Sequence, residues 1–507
     1  MSGQQIALQD LGLAAGVSLD ALMKTLSEAP VLTSENSELM KSTFSQSGSA
    51  TTGLTFYDLE AGAKFLYPVL TPLRNEIPRV TGRGGIQANW KAITAINTAG
   101  IRVGVSGGNR GAVMAVAVAD YAASYKGIGI EDNVDFEAQY AGQGFDDVRA
   151  IAAKVGLQAL MLGEELLLLG GNGTVPLGTT PTPSLSASTT GGTMTATTKF
   201  VLCVALTLEG FVNSSVAAGI PTLVTRTNAD GSVDTFNGGS AQKSAAASVA
   251  TTGTTGSITA TVAAVRGAVA YAWYCGASAN AATLAAITTV NRVVLTTDAG
   301  AGTQNGSNTD LPAADHSANS LSFDGLLTQA MKSGSNAYFR SLDGASLTAD
   351  GAGGIVEIDA ALKSFWDNYR LTPDTVWVSS DLALAISQKI LQGNANGAYR
   401  IVVNMEQGMM VGGVMVATYL NRFSMAGANV VKVRIHPNMP AGMMFFSSST
   451  LPYPVSGVGN VMQVRTRQEY YQIEWPLRTR KYEYGVYADE VLQHYFPPSL
   501  GVLTNVA

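Results

Sequence analysis

Cysteine, histidine and charge are all scarce in this 507-residue sequence, and each scarcity removes a class of function. Two cysteines, Cys203 and Cys275, can build neither a disulfide scaffold nor an all-cysteine zinc site. Both are expected to be reduced thiols in a product of a reducing compartment. The only histidines, His316, His436 and His494, stand too far apart to act as a ligand pair, and neither HExxH nor CxxC occurs. Charged residues are 13% of the chain, where about 25% is usual. With 31 basic against 37 acidic side chains, the net charge of −6 argues against a polybasic nucleic-acid binder. Long apolar runs are missing too. Leu166–Leu169 and Ala112–Ala119 fall far short of the ~20 residues of a membrane helix. Residues 1–30 hold Asp10, Asp20 and Glu28 without a basic leader, so no secretory signal is expected.

Apolar content is nonetheless an ordinary 46%, which disfavours disorder. An ordinary apolar content under a thin coat of charge leaves a surface poorly suited to a freely diffusing monomer. The length points to two to four domains.

The first stretch is a polar Ser/Thr-rich arm with one amphipathic piece (Leu19, Leu22, Met23, Leu26) that cannot bury a core of its own. Ile86, Ala88, Trp90 and Ala92 alternate with Gln87, Asn89 and Lys91, the pattern of a strand. Gly111–Tyr121 supplies a second strand, and the Gly-rich Val103–Gly111 between them a hairpin tip. The faces of this ribbon are mainly Ala, Thr and Val, and a two-stranded ribbon is marginal alone in water. Phe145, Val148, Ala152, Val155, Ala159, Leu162, Leu166 and Leu169 then recur at helical steps and predict one helix from Val134 to Leu169, roughly 50 Å long. Asn133 or Asp135 would cap it, Gly142 and Gly144 would bend it, and Gly170-Gly171 would stop it. Glu164-Glu165 reads as its exposed side.

Residues 176–305 are Ala, Thr, Ser, Gly and Val with almost no charge. A disordered linker competes with a β-sandwich there, and alternating segments favour the sandwich. Those segments are Phe200–Leu208, Ile258–Val262 and Val269–Cys275, with a hairpin turn at Asp230-Gly231. The two cysteines are expected to face each other across its sheets. From Asp310 onward the pattern is α/β: helices at Ile355–Tyr369 and Asp381–Leu391 flank a buried strand at Thr375–Val378. Strands at Val414–Thr418, Val430–Ile435 and Gly442–Phe446 follow, then long β segments at Val461–Trp475 and Arg478–Tyr487.

No convergent catalytic set emerges. The formal G-x-S-x-G at Gly104–Gly108 sits in the hairpin tip rather than on a strand-to-helix turn. Gly107–Gly111 (GGNRG) lacks the Lys-Ser/Thr that grips phosphate. No catalytic residue, cofactor or metal is therefore expected. The cations Arg465, Arg467, Arg478, Arg480 and Lys481 read either as a charged strand edge or as a row meeting acids such as Glu131, Asp146, Asp147 or Glu164 of another subunit.

Arm, long hairpin, long helix, α/β domain and returning β ribbon follow one another in an order that resembles the tailed-phage major capsid proteins of the Hong Kong 97 type. The segments carrying the likeness are Thr71–Ile77 (TPLRNEI), Asp135–Leu169, Thr372–Ile390 (TPDTVWVSSDLALAISQKI) and Arg465–Leu492, which ends RTRKYEYGVYADEVL. The resemblance implies an α+β fold divided as N-terminal arm 1–70, extended loop 71–133, spine helix 134–175, inserted Ig-like β domain 176–305, axial domain 306–460 and peripheral ribbon 461–507. It implies a structural, non-enzymatic subunit that assembles with itself in the host cytoplasm. Its product would be the hexamers and pentamers of a virion head, enclosing double-stranded DNA without sequence-specific binding. A portal protein, a separate scaffolding protein and a cement protein are the implied partners; no membrane is. The residues expected at subunit interfaces are Trp90, Lys91, Arg102, Arg110, Arg465, Arg467, Arg478 and Arg480. Some relatives crosslink lysine to asparagine; Lys91 and Lys126 lie in or near the loop, but no motif selects an Asn, so no crosslink is expected. The stretch before the loop is too short for an arm plus a cleaved scaffolding segment, so an uncleaved chain is expected. The insert is expected to be a separable surface decoration. Competing readings are an encapsulin-type nanocompartment shell, a surface-layer or adhesin protein suggested by the Thr/Ala/Gly-rich region, and a hydrolytic enzyme.

Overall fold

The computed structural model describes residues 66–96, 115–142, 147–228, 230–311, 313–351, 353–392, 417–424, 429–477 and 479–507. The expected arm, the hairpin tip, Phe145, Val414, Arg102, Arg110 and Arg478 lie outside the described residues.

The described chain opens with a short helix α1 (Pro72–Glu76) and a three-residue strand β1 (Arg79–Thr81). Strands β2 (Gln87–Ile96) and β3 (Val116–Ser124) pair antiparallel with each other and, among the described residues, with no third strand. Then come β4 (Lys126–Asp135), α2 (Phe136–Ala141) and the long helix α3 (Val148–Gly170). The single helix expected from Val134 is thus two. Val134 and Asp135 pair with Tyr482 and Lys481 in a sheet, which overrides their helical spacing. Gly142 ends α2, and Asp147, not Asn133 or Asp135, caps α3 by accepting from the amides of Arg149 (3.1 Å) and Ala150 (3.3 Å). The 23 residues of α3 span about 35 Å.

The insert contains β5 (Ser184–Ser188), β6 (Thr198–Leu206), α4 (Leu208–Val212), β7 (Leu223–Thr227), β8 (Val233–Asn237), β9 (Ala247–Ala250), β10 (Ser257–Thr261), β11 (Ala270–Gly276), β12 (Thr283–Thr288) and β13 (Arg292–Leu295). These form a four-stranded sheet in the order β12-β11-β6-β9 and a three-stranded sheet β13-β10-β5. Cys203, Tyr271, Trp273 and Cys275 of the first share a buried cluster with Ile258, Ala260, Val293 and Leu295 of the second. A low-charge sequence therefore folds by stacking two apolar sheet faces rather than remaining a linker. β7 and β8 form a hairpin whose turn carries Gly231 at φ +84°, a conformation glycine adopts at no steric cost. The cysteines do not face each other across sheets. Cys203 pairs in register with Trp273, on the strand beside Cys275 in the same sheet, and both are free, buried thiols.

Beyond the insert run α5 (Leu326–Met331), β14 (Tyr338–Ser341), α6 (Val356–Tyr369), β15 (Thr375–Val378), α7 (Ser380–Gln392), β16 (Thr418–Asn421), β17 (Asn429–Ile435), β18 (Met444–Ser447), β19 (Met462–Glu474), β20 (Lys481–His494) and β21 (Gly501–Thr504). Six strands form one mixed sheet, β14-β21-β18-β15-β17-β16. β15 sits inside it and is buried on both faces, which is why TVWV reads as a continuous apolar run. Val376 and Val378 pack with Ile358, Leu362 and Phe365 of α6 and Ile386 of α7. Trp377 packs on the opposite face with Leu168 and Leu169 of α3.

The last sheet, β1-β19-β20-β4, joins segments far apart in sequence: β1 runs parallel to β19, and β20 lies antiparallel between β19 and β4. Helix α3 packs on this sheet, and a Cβ on its Gly156 would stand in ordinary van der Waals contact with Ile130 and Val486.

The insert shares a buried core with the body of the chain. Leu208 and Val269 belong to the same buried cluster as Leu168, Leu327, Trp377 and Val502. A Cβ on Gly170 would stand 2.6 Å from Leu208, so only glycine allows the end of α3 to meet α4 this closely. The side chain of Asn291, between β12 and β13, donates to Asp343 at 2.9 Å, and its amide donates to Asn505 at 3.1 Å.

Candidate assembly surfaces

The β2–β3 ribbon is built from residue pairs that, among the described residues, are largely uncovered. Trp90 opposes Tyr121, Lys91 opposes Asp120 and Ile93 opposes Val118. At the root, Ala88 is buried, and Trp90 stacks on Tyr121 (5.8 Å between rings) and meets Tyr495 edge-on (6.2 Å). Beyond the root the cover stops. Ile93 is 67% exposed, Val118 57%, Ile96 56% and Val116 43%. Together these four leave the equivalent of about two large aliphatic side chains in water, roughly 4–5 kcal/mol of unrealised burial. Contiguous exposed apolar surface of this kind marks a site of association.

A buried charge cluster holds the segment that leads into the ribbon. Glu164 and Glu165 of α3, expected on its exposed side, are both 0% exposed. Glu165 accepts from the amides of Leu73 (2.9 Å) and Arg74 (2.8 Å), the free donors of the first turn of α1, where Pro72 has no N–H to offer. It also accepts from His436 Nε2 at 2.7 Å. The amide of Asn438 donates to His436 Nδ1 (3.1 Å), so the proton of the neutral ring resides on Nε2.

Beside it, Arg79 lies between two carboxylates. Its Nη1 is 2.6 Å from Glu164 Oε1, and its Nη2 donates to Glu490 Oε2. Arg74 Nε reaches Glu164 Oε2 (3.2 Å) and the Tyr470 hydroxyl (2.9 Å), and that hydroxyl also donates to Glu164. Both guanidinium groups lie over the Tyr470 ring, at 5.3 and 4.8 Å. Burial first, and then the neighbouring Glu164 charge, push the Glu490 carboxyl up to about 7 against the opposing pull of Arg79. Burial likewise raises the Tyr470 hydroxyl, assisted by Glu164. His494, fully buried with no partner on either ring nitrogen among the described residues, is held down to about 3 by desolvation.

The residues expected at interfaces are dispersed. Lys91 pairs with Asp120 at 3.3 Å, both mostly exposed, on the ribbon. Arg465 donates to Gln493 (3.3 Å), Arg467 pairs with Asp489, and Arg480 lies 3.6 Å from Glu137. Glu164, read from sequence as a possible partner for another subunit's cation, is instead saturated within its own chain. The structure brings Trp90 towards the Arg465 strand through Tyr495, whose hydroxyl accepts from Gln463 of the same β19. Lys91, Arg467 and Arg480 do not converge with them.

Sequence reasoning missed Arg74, Arg79, Glu164, Glu165, His436, Tyr470 and Glu490. One signal was present. Glu164 has leucines four residues away on both sides (Leu160, Leu168), and Glu165 has Met161 and Leu169, so both acids stand on the apolar stripe. Among the described residues no group of three His, Cys, Asp or Glu side chains is placed to hold a metal ion, and no helix is long and apolar enough to cross a membrane.

No family model matches the sequence, and no curated protein does. Among solved structures, the chain is similar to the capsid of a native GTA particle, with 10% identity, 91% of this chain and 99% of that one covered, and a TM-score of 0.41. It is similar to the capsid of Myoviridae phage XM1 at 11% identity, covering 90% and 97%, with a TM-score of 0.39. It is also similar to the holo-SrpI encapsulin complex of Synechococcus elongatus PCC 7942 at 10% identity, covering 88% and 92%, with a TM-score of 0.34. Superpositions this loose decide neither fold nor function.

Proposed function

We propose that this chain is the major structural subunit of a viral head, assembling with copies of itself into the hexamers and pentamers of an icosahedral shell around double-stranded DNA. The observation that carries the reading is the β2–β3 ribbon, an apolar element that has, among the described residues, neither a third strand nor a cover beyond its root. Such an element gains stability only against another surface, and in a symmetric assembly that surface belongs to an identical chain. The exposed pairs Lys91–Asp120 and Arg480–Glu137 are worth little in water, so their members are free to exchange partners at a contact. Trp90, Lys91, Arg102, Arg110, Arg465, Arg467, Arg478 and Arg480 are assigned to these contacts. A portal protein, a separate scaffolding protein and a cement protein belong to the same reading, as does assembly in the host cytoplasm. The role is structural, with no catalytic step.

Negative-stain microscopy of the purified full-length chain tests this. Closed particles or capsomer rings are expected, and a folded, non-associating monomer would overturn the reading. Particles that hold a protein cargo and no DNA when recovered from their native source would replace it with a nanocompartment shell.

A further inference from the structure

We infer that a proton on Glu490 locks the segment Pro72–Thr81, and with it the root of the ribbon, onto the body of the chain, and that ionisation of the same carboxyl loosens it. The device lies within one chain and is independent of what the ribbon engages.

Its geometry is a clamp with one carboxylate too many in a dry place. Glu164 and Glu490 are both fully buried, and they share the single guanidinium of Arg79. Glu164 accepts three hydrogen bonds, from Arg74, from Arg79 and from the Tyr470 hydroxyl, with both of its oxygens engaged. Glu490 has only Arg79, and its Oε1 is buried without a partner among the described residues. Its cross-strand neighbour Thr466 also has a hydroxyl without a partner among the described residues. Lys126, opposite Glu490 on β4, offers no relief because its ammonium donates to the Ser320 carbonyl. The remaining charged groups around the cluster are Arg74 on α1, and Glu165 with its partner His436 behind it on the other side of α3.

An ionised Glu490 therefore places a second anion beside Glu164 with half its acceptor capacity unused, whereas a neutral Glu490 removes that repulsion. The cover over Glu490 is the segment that carries Arg79. This segment is held by three ladder positions of β1, by the Gly82 amide donating to Thr466, and by Leu73 and Ile77 in the core. When it lifts, Glu490 meets water and regains its ordinary acidity. The sign follows from linkage. A carboxyl that ionises at about 7 when covered, against 4.5 in water, binds its proton more tightly in the closed form. Closure is therefore strongest below pH 4.5 and weakens until the pH passes 7.

Hydrogen–deuterium exchange of the full-length chain, corrected for intrinsic rates, reads this opening directly. Protection of amides in Leu73–Thr81 should fall roughly 70-fold between pH 5 and pH 8, while β11 amides stay unchanged. Glu490→Gln should hold these amides at their pH 5 protection throughout. Glu164→Gln should move the transition to lower pH by removing the repelling neighbour. Protection independent of pH in the unmodified chain would overturn the proposal. So would a Glu490→Gln protein that keeps the full dependence. If Glu490→Gln does not fold, the unmodified series and the shift in Glu164→Gln decide between the same two outcomes.

Discussion

Replacing Ile93 and Val118 together by asparagine separates association from folding. The two side chains oppose each other on the ribbon and are 67% and 57% exposed. They contribute little to the isolated chain, so its thermal midpoint should move by no more than about 2 °C, in line with surface substitutions worth under ~0.5 kcal/mol. At an intersubunit contact the arithmetic changes. Burying the exposed parts of Ile93 and Val118 yields roughly 2–3 kcal/mol, and each asparagine amide forced into the same place without partners costs about 1–3 kcal/mol more. The sum, roughly 4–9 kcal/mol per ribbon contact, weakens association at least about a thousandfold. Sedimentation velocity over a concentration series, alongside circular dichroism melting, reads both quantities on one sample. The expected result is a folded protein that sediments as subunits at concentrations where the unmodified chain assembles. Assembly at the unmodified concentration would refute the assignment of the ribbon to a contact. A collapse of the melting temperature would show that these side chains stabilise the chain itself.

Three further outcomes follow from the buried groups. Glu165→Ala removes the acceptor for two α1 amides and His436 at once, and it should destabilise the chain by about 3–5 kcal/mol in urea unfolding, with Leu384→Ala, an exposed control on α7, near zero. His494 favours its neutral form in the fold, because burial lowers its pKa from 6.5 to about 3. Its stabilising effect is present above pH 6.5 and is lost as the pH falls towards 3, opposite in sign to Glu490, and His494→Leu should flatten that acid limb of the stability profile. Deleting residues 178–304 should leave an insoluble product, since it strips Leu208 and Val269 from the cluster around Leu168 and Trp377. A soluble, assembly-competent deletion, monitored by gel filtration, would show that the insert folds apart from the rest.

Local pattern made much of this chain legible. Alternation around Trp90 and along Val461–Trp475 marked strands, because a two-residue period follows from the pleat itself. Asp230-Gly231 marked a hairpin, because few residues tolerate its backbone, and TVWV marked a strand covered on both sides. The same patterns showed a chain poor in charge, with an apolar ribbon it could not cover. What local pattern could not show was which partner wins. Val134 and Asp135 carry helical spacing yet pair with β20, because ladder hydrogen bonds with a strand some 350 positions away outweigh a weak local preference. Cys203 and Cys275 share a sheet rather than opposing each other, since strand order is set by how the insert closes on itself.

The charge cluster lies furthest from the reach of sequence. Adjacent acids at Glu164-Glu165 look like a solvated helix face until Arg74, Arg79, His436 and Glu490 arrive from four other segments. Burial of a charge is decided by its counter-charges and hydrogen bonds, and those exist only once the distant segments have met.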